Sequence, residues 1–379
     1  MIPGPIEFTP EVLSSMSEPT LSHVSGDFIK IFGDSLNMMK KVWMCPDGQA
    51  FIMAGTGTLA MDMAGANLVE KDDKVLVVST GYFGERYAEL LNRYGADYRI
   101  LRAEPGKSVD PAEIEKELRT GKYKMLTFTH VDTSTAVRVD PVPIGELGRK
   151  YDVLTVLDGV CSVAGEEIRQ QEWGIDIVLT ASQKAVGVPP GLALLVASPK
   201  AMEKFHNRKS PVQNYYADWS NWLPIMKAYE EGRPAYFGTP AVNLVSALNI
   251  SLRQILDEGM EVRFLRHKKT GGAFRKAFKA MGINQIPDDS VAANTLSAPY
   301  YPGDIKGPDF IKEVNRAGVI VAGGLHPELR NRYFRVGHMG KITKEDTLAT
   351  IEAIETSLSV LNHKFERGAA QRVIEDELG

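Results

Sequence analysis

Two charged residues follow short apolar runs, at positions where the hydrophobic pattern alone would not place them. The run Leu154-Thr155-Val156-Leu157 predicts a buried strand, and Asp158 comes directly after it. The run Ile175 to Thr180 predicts a second strand, and Lys184 follows in a loop that leads into Pro189-Pro190-Gly191. In an open parallel sheet the carboxyl ends of the strands form the ligand crevice, so a carboxylate and an amine at two such ends can face one bound molecule.

These two residue types suit the chemistry of pyridoxal phosphate. An ammonium in a dry crevice has a lowered pKa and becomes a nucleophile that forms a Schiff base with an aldehyde. A carboxylate in the same crevice can hold a pyridinium nitrogen protonated, which pyridoxal phosphate needs to act as an electron sink. Each residue also has an ordinary alternative role, Asp158 as a cap or turn residue and Lys184 as part of a solvated loop.

Composition excludes several classes of function. The chain has 379 residues, enough for two domains, with 44% hydrophobic and 24% charged residues, as in an ordinary globular protein. A net charge of -4 and a pI near 6.0 predict no nucleic-acid partner and no anionic membrane partner. Cys45 and Cys161 are the only cysteines, so we expect neither a disulfide framework nor a zinc site.

No segment carries a recognisable targeting pattern. The start of the chain lacks the basic and apolar regions of a signal peptide, and its end carries no peroxisomal or retention address. No apolar run approaches the ~20 residues that a membrane span requires. We therefore expect a cytoplasmic protein that does not bind membranes.

Strands and helices alternate through most of the chain. The predicted strands are 51–54, 75–79, 97–101, 125–129, 154–158, 175–180 and 192–197, and the predicted helices between and after them are 61–69, one that ends at 94, 111–119, 144–151 and 242–256. This alternation predicts an α/β fold with a mostly parallel sheet covered by helices on both faces.

The pattern changes near residue 258, where we predict a domain boundary. Residues 1–15 form an N-terminal arm, 16–257 a large domain and 258–379 a smaller α/β domain. In the smaller domain we expect helices at 261–281, 308–317 and 343–361, strands at 294–298, 319–321 and 333–336, and a frayed charged tail from 362. The arm contains Pro3-Gly4-Pro5, so it is extended, and it either stays free or crosses a neighbouring subunit.

A glycine-rich turn at residues 55–60 permits two functional interpretations. Gly55-Thr56-Gly57-Thr58-Leu59-Ala60 matches the dinucleotide fingerprint Gly-x-Gly-x-x-Ala. That fingerprint places an acidic residue after its second strand, whereas Asp72 and Asp73 precede the next strand here. We interpret the turn as a phosphate cradle at a helix N-terminus, with a simple tight turn as the alternative.

Two further features leave alternatives open. Arg335 lies in the apolar run Tyr333 to Gly337, where a guanidinium needs either a protein carboxylate or a substrate carboxylate. The aromatic-rich segment from Asn214 to Arg233 suits a subunit interface or packing within its own domain.

Taken together, the motifs resemble the pyridoxal-phosphate enzymes of fold type I, and among them the alanine-glyoxylate and serine-pyruvate aminotransferases of class V. The resemblance extends from Pro3-Gly4-Pro5 to the segment Arg335 to Gly340. Its most specific motifs are Thr180 to Ala185 with the following Pro189-Pro190-Gly191, and Ala235 to Pro240.

The resemblance implies a role for each matching residue. Lys184 is the Schiff-base lysine, Asp158 is the partner of the pyridinium nitrogen, and Arg335 and the backbone at Gly4 bind the substrate. The other cofactor-binding residues that it implies are Thr56, Gly57, Thr58, Phe83, Thr133, Val160, Gln183, Tyr236 and Thr239. The family often has Trp at the Phe83 position and His at the Thr58 position. Tyr236 and Thr239 resemble residues donated by the neighbouring subunit, so a homodimer with shared active sites is expected.

The implied reaction is a ping-pong transamination between small amino acids and 2-oxo acids. The donor is alanine or serine, and the acceptor is glyoxylate or pyruvate. A lyase or a desulfurase-like enzyme of the same fold is an alternative, although a desulfurase needs a later thiol and no cysteine follows Cys161. A nicotinamide-dependent oxidoreductase, which rests only on residues 55–60, is a further alternative.

Overall fold

The computed structural model describes residues 1–379, which form twelve strands in three sheets. The strands are β1 (Gln49–Ala54), β2 (Lys74–Ser79), β3 (Asp97–Arg102), β4 (Met125–Thr129), β5 (Val131–Asp132), β6 (Val137–Arg138), β7 (Leu154–Asp158), β8 (Ile177–Ala181), β9 (Leu192–Ala197), β10 (Leu296–Ser297), β11 (Ala322–Gly323) and β12 (Phe334–Gly337).

The large sheet has the strand order β1-β9-β8-β7-β4-β2-β3. Only β9 runs against its neighbours, since it pairs antiparallel with β1 and β8, and the other six strands share one direction. In the centre of the sheet Leu157 of β7 pairs with Phe128 of β4 and Val178 of β8, and all three side chains are buried. The predicted α/β fold with a mostly parallel sheet is confirmed.

Fourteen helices surround and extend the sheets. They are α1 (Pro10–Met16), α2 (Gly26–Val42), α3 (Gly57–Leu68), α4 (Tyr82–Arg93), α5 (Pro111–Leu118), α6 (Pro141–Lys150), α7 (Gln170–Trp173), α8 (Pro199–His206), α9 (Trp219–Glu230), α10 (Val242–Glu258), α11 (Met260–Ala280), α12 (Gly307–Arg316), α13 (Lys344–Val360) and α14 (Ala369–Leu378). None of these helices has both the length and the apolar character needed to cross a membrane.

The chain has two apolar cores. The larger surrounds the seven-stranded sheet, and the smaller lies among α11–α14 and the sheet β10-β12-β11, with Phe274, Phe334 and Ile354 fully buried. Between α10 and α11 the chain passes through Gly259, whose φ of 83° suits glycine. We propose this break as the boundary between the domains 16–257 and 258–379.

Two element predictions are wrong. The tail is not frayed, because α14 places Ala370 and Ile374 one turn apart and buries both completely against the smaller core. Residues 319–321 form no strand, because the chain folds back after α12 with Val319 N donating to Val314 O, and strand pairing begins only at Ala322.

Helix α2 has no counterpart among the sequence predictions. Ser25 caps it by accepting from Phe28 N at 3.4 Å, and Phe28, Phe32 and Leu36 form a buried stripe along it. This stripe packs on the core of the large domain, so the 17-residue helix belongs to the support of the sheet.

Candidate active site

Six strands of the large sheet end at the same edge, and five of them lead into predicted site residues. Because β1, β2, β4, β7 and β8 run in one direction, the segments that follow them meet there. Those segments carry most of the predicted site residues. They are Thr56, Gly57 and Thr58 after β1, Phe83 after β2, Thr133 after β4, Asp158 and Val160 in β7 and after it, and Gln183 and Lys184 after β8.

Lys184 lies in a tight loop between β8 and β9. Ser182 Oγ fixes this loop by donating to Pro189 O at 2.8 Å and accepting from Leu192 N at 3.2 Å. The Nζ atom of Lys184 donates to Pro3 O, so the N-terminal arm lies directly against the amine. Gly4 has a φ of 117°, and a Cβ there would lie 2.6 Å from Lys184 Cδ, which requires glycine at this position.

Asp158 ends β7 with a carboxyl group that is only 2% exposed. Burial raises its pKa to about 6, although the hydrogen bond from Val160 N at 3.0 Å and the positive charge of Lys184 act in the opposite direction. Val160 N is the only protein donor to this carboxyl, so most of its accepting capacity is left for a ligand.

The N-terminus of α3 lies beside Val160. Thr56 is the N-cap residue, but its side chain makes no capping bond, and the first turn of a helix leaves its N–H groups without intrahelical partners. A Cβ on Gly57 would lie 2.8 Å from Val160 Cγ2, so only glycine permits this approach. Nearby in the β8–β9 loop, Gln183 Oε1 is buried without a hydrogen-bond partner. This arrangement can bind an anion.

Phe83 is held in the first turn of α4 by a residue that the sequence analysis did not single out. The buried Asp132 carboxylate accepts from Phe83 N at 3.0 Å and Gly84 N at 3.4 Å, and its other oxygen accepts from Ser134 N and Oγ at 2.9 and 2.6 Å. Burial raises the pKa of Asp132, and these four donors oppose that effect. The Asp-x-Ser spacing of a local capping turn is the sequence signal that could have found it.

Two other unpredicted residues lie beside predicted ones. Cys161 Sγ is 2.7 Å from Thr133 Oγ1, and both side chains are buried. Arg86 Nη2 donates to Thr58 Oγ1 at 3.3 Å. No spacing rule connects residues on separate strands or helices, so the sequence alone gave no signal for either contact.

Arg335 lies on β12 of the small sheet and points at the same region. Its Nε atom donates to Gly323 O at 2.8 Å and Nη1 to Thr133 O at 3.4 Å, and the guanidinium forms no ion pair with a carboxylate of the chain. Burial lowers its pKa from the ordinary value. Of the two alternatives left open by the sequence, a carboxylate partner within the protein is therefore absent.

Tyr236 and Thr239 do not join the other predicted residues in this chain. Both are exposed, Tyr236 by 64%, and the Tyr236 ring packs against His23 with centroids 5.4 Å apart. The structure also contains no group of three or more His, Cys, Asp or Glu side chains suited to a metal ion.

Comparison with known proteins finds one family model that matches most of the chain. The family model described as aminotransferase class-V matches residues 11–329. Alanine–glyoxylate aminotransferase 1 of Saccharomyces cerevisiae is 36% identical over 355 residues, which cover 90% of this chain and 91% of the yeast protein.

Among the solved structures that match the fold, two cover nearly the whole chain and are 29% and 31% identical to it. Ureidoglycine-glyoxylate aminotransferase from Bacillus subtilis has a TM-score of 0.93 and 29% identity, covering 99% of this chain and 96% of its own. Alanine–glyoxylate aminotransferase from Nostoc sp. has a TM-score of 0.89 and 31% identity, covering 94% of each chain.

Replacing Asp158 by Asn should change how stability depends on pH in the cofactor-free protein. Because burial raises the pKa from 3.8 to about 6, the folded state binds this proton more tightly than the unfolded chain does. The carboxyl therefore stabilises the fold less and less as pH rises from about 4 through 6, by up to about 3 kcal/mol in total.

We expect the parent to lose stability relative to Asp158→Asn as pH rises. In urea titrations, the free energy of unfolding of Asp158→Asn minus that of the parent should therefore increase between pH 4 and pH 7. Asp304→Asn, at an exposed surface carboxyl, controls for the change of charge. A difference that stays constant or decreases over this range would show that the Asp158 carboxyl is not desolvated.

Proposed function

The chain belongs to the class-V aminotransferases, a pyridoxal-phosphate-dependent family of fold type I, and we propose that it moves an amino group from alanine or serine to glyoxylate or pyruvate. The family predicted from the sequence is confirmed. The observation that supports this proposal most strongly is that three groups lie at one edge of the sheet: the Lys184 amine, the buried Asp158 carboxyl and the N-terminus of α3.

The residues at this edge fit pyridoxal phosphate. The carboxyl of Asp158 has spare accepting capacity for a protonated pyridine nitrogen, and the helix N-terminus beside Gly57 can take the phosphate. Thr56, Thr58 and Gln183 would supply further phosphate donors. Phe83 and Val160 would bracket the ring, with Thr133 beside its phenolic oxygen. When bound, the cofactor supplies a sink for the electron pair left on the substrate α-carbon.

Lys184 has two tasks in this proposal. Its Nζ atom would hold the cofactor through the cofactor's aldehyde group in the resting enzyme, and the amine, once freed by an incoming amino acid, would move a proton from the substrate α-carbon. The fixed β8–β9 loop keeps the lysine within reach of that carbon during both tasks. Asp158 would keep a proton on the pyridine nitrogen, since a buried carboxylate strongly favours a cationic partner.

Arg335 would bind the substrate carboxylate. Its guanidinium is partly buried, forms no ion pair and keeps Nη2 free for a carboxylate oxygen. The backbone at Pro3 and Gly4 lies against the Lys184 amine and would line the substrate site. The choice of alanine or serine as donor is supported by the similarity of the chain to alanine–glyoxylate aminotransferases.

A homodimer would complete the site. Tyr236 and Thr239 are exposed in one chain, and Tyr215, whose ring packs against that of Phe237 with centroids 5.5 Å apart, is 79% exposed. Large exposed aromatic side chains are typical of interfaces. We propose that the partner subunit donates Tyr236 and Thr239 to the cofactor phosphate.

The absorbance spectrum of the purified protein tests the proposed reaction. The parent should be yellow with pyridoxal phosphate, lose the colour on addition of alanine or serine, and recover it with glyoxylate. Lys184→Ala should show neither change, whereas Lys268→Ala, at an exposed lysine, should behave like the parent. The proposal fails if the parent never turns yellow, or if Lys184→Ala converts donors as well as the parent does.

Hybrid dimers test the shared site. Lys184→Ala and Tyr236→Ala should each be nearly inactive alone. When the two chains are coexpressed, mixed dimers contain one site with both native residues, so about a quarter of the parent activity should return. If purified mixed dimers stay as inactive as the two single variants, Tyr236 does not act across the interface.

A further inference from the structure

The proposed phosphate site contains no positively charged side chain. Thr56, Gly57, Thr58 and Gln183 are all neutral, whereas a phosphate monoester carries about -1.5 to -2 charges at neutral pH. A helix N-terminus contributes only about half a positive charge. The site therefore requires a further cation if it is to hold the dianion tightly.

Arg86 is placed to supply that charge. It lies on α4, one turn after Phe83, and its Nη2 atom donates to Thr58 Oγ1 at 3.3 Å in the first turn of α3. The guanidinium is thus one side chain away from the helix N-terminus that would bind the phosphate. No other Arg or Lys side chain donates a hydrogen bond to Thr56, Thr58 or Gln183.

The contacts of Arg86 leave its charge available. The guanidinium carbon lies 5.9 Å from the centre of the Tyr82 ring and 5.8 Å from that of Phe83, so it rests on aromatic surface. It forms no ion pair, and the neighbouring Glu85 is engaged by Arg102 through two hydrogen bonds of 2.9 Å. Arg86 is therefore positioned by its neighbours without being neutralised by them.

We propose that Arg86 is a cofactor-positioning residue that binds the phosphate dianion of pyridoxal phosphate, directly or through Thr58, and provides the positive charge that the cradle lacks. The inference rests on the proposed function, because it concerns the same site. It also gives α4 a double role, since the helix would present Phe83 to the ring and Arg86 to the phosphate.

Equilibrium binding of pyridoxal phosphate and of pyridoxal, which lacks the phosphate, tests this role. Arg86→Gln should weaken the binding of pyridoxal phosphate about 10- to 100-fold, because one charge-assisted hydrogen bond to a dianion is lost. Its affinity for pyridoxal should equal that of the parent. Arg86→Lys should retain most of the affinity for pyridoxal phosphate, and the loss in Arg86→Gln should shrink at high salt.

A matched control is available on the same helix. Arg93→Gln removes an exposed guanidinium that makes no ion pair, and both ligands should bind to it as to the parent. Phosphorus NMR gives a second readout, because loss of a nearby cation should raise the pH at which the bound phosphate takes up a proton. Arg86→Met, which also removes the charge, serves for this measurement if Arg86→Gln does not fold, and it should show the same rise.

The outcomes separate the two proposals. If Arg86→Gln binds pyridoxal phosphate as tightly as the parent, or loses both ligands in equal proportion, Arg86 is not a phosphate ligand and the proposed function still stands. If Arg86→Gln, or Arg86→Met in its place, takes up the phosphate proton at the same pH as the parent and Arg93→Gln do, the charge of Arg86 does not act on the phosphate. If the parent itself binds no pyridoxal phosphate, both proposals fall.

Discussion

The common direction of five strands is the constraint on which the site depends. Chemistry-bearing residues spread over more than 120 positions meet because β1, β2, β4, β7 and β8 all end at one edge of the sheet. Each strand contributes one short segment, and local bonds such as those of Asp132 to the first turn of α4 fix that segment in place. The buried sheet therefore acts as a rigid frame, and function is carried by the segments beyond its edge.

The number of hydrogen-bond donors distinguishes structural carboxylates from one that is available to a ligand. Burial raises the pKa of both Asp132 and Asp158, but Asp132 accepts four hydrogen bonds and Asp158 accepts one. The same reasoning separates the buried Arg263 from the partly buried Arg335. Arg263 is paired with Glu258 at 2.6 Å, whereas Arg335 has carbonyl partners only. A charged side chain that is removed from water and has few partners within the protein is a candidate ligand-binding group.

Much of the large domain could be predicted from sequence, because strand ends coincide with changes in apolar pattern. The strands at 125–129, 154–158 and 192–197 occur where the pattern placed them. The contacts of Asp132 and Arg86 could not be predicted, since they join residues on different strands and helices. Helix α14 was not predicted from the sequence, because the tail is mostly charged and only a few of its residues, such as Ile374, are apolar and pack against the core. Tyr236 and Thr239 are exposed and lie apart from the other predicted site residues in this chain, and the proposed homodimer would bring them to the site of its second subunit.

The central claim is that Lys184 binds the cofactor at this edge of the sheet. Reduction of the protein with borohydride in the presence of pyridoxal phosphate, followed by proteolysis and mass spectrometry, tests it most directly. The account predicts that a stable phosphopyridoxyl group is found on the peptide that contains Lys184 and that prior addition of alanine prevents the labelling. Labelling of a different lysine at full occupancy, or no labelling at all, would contradict the account.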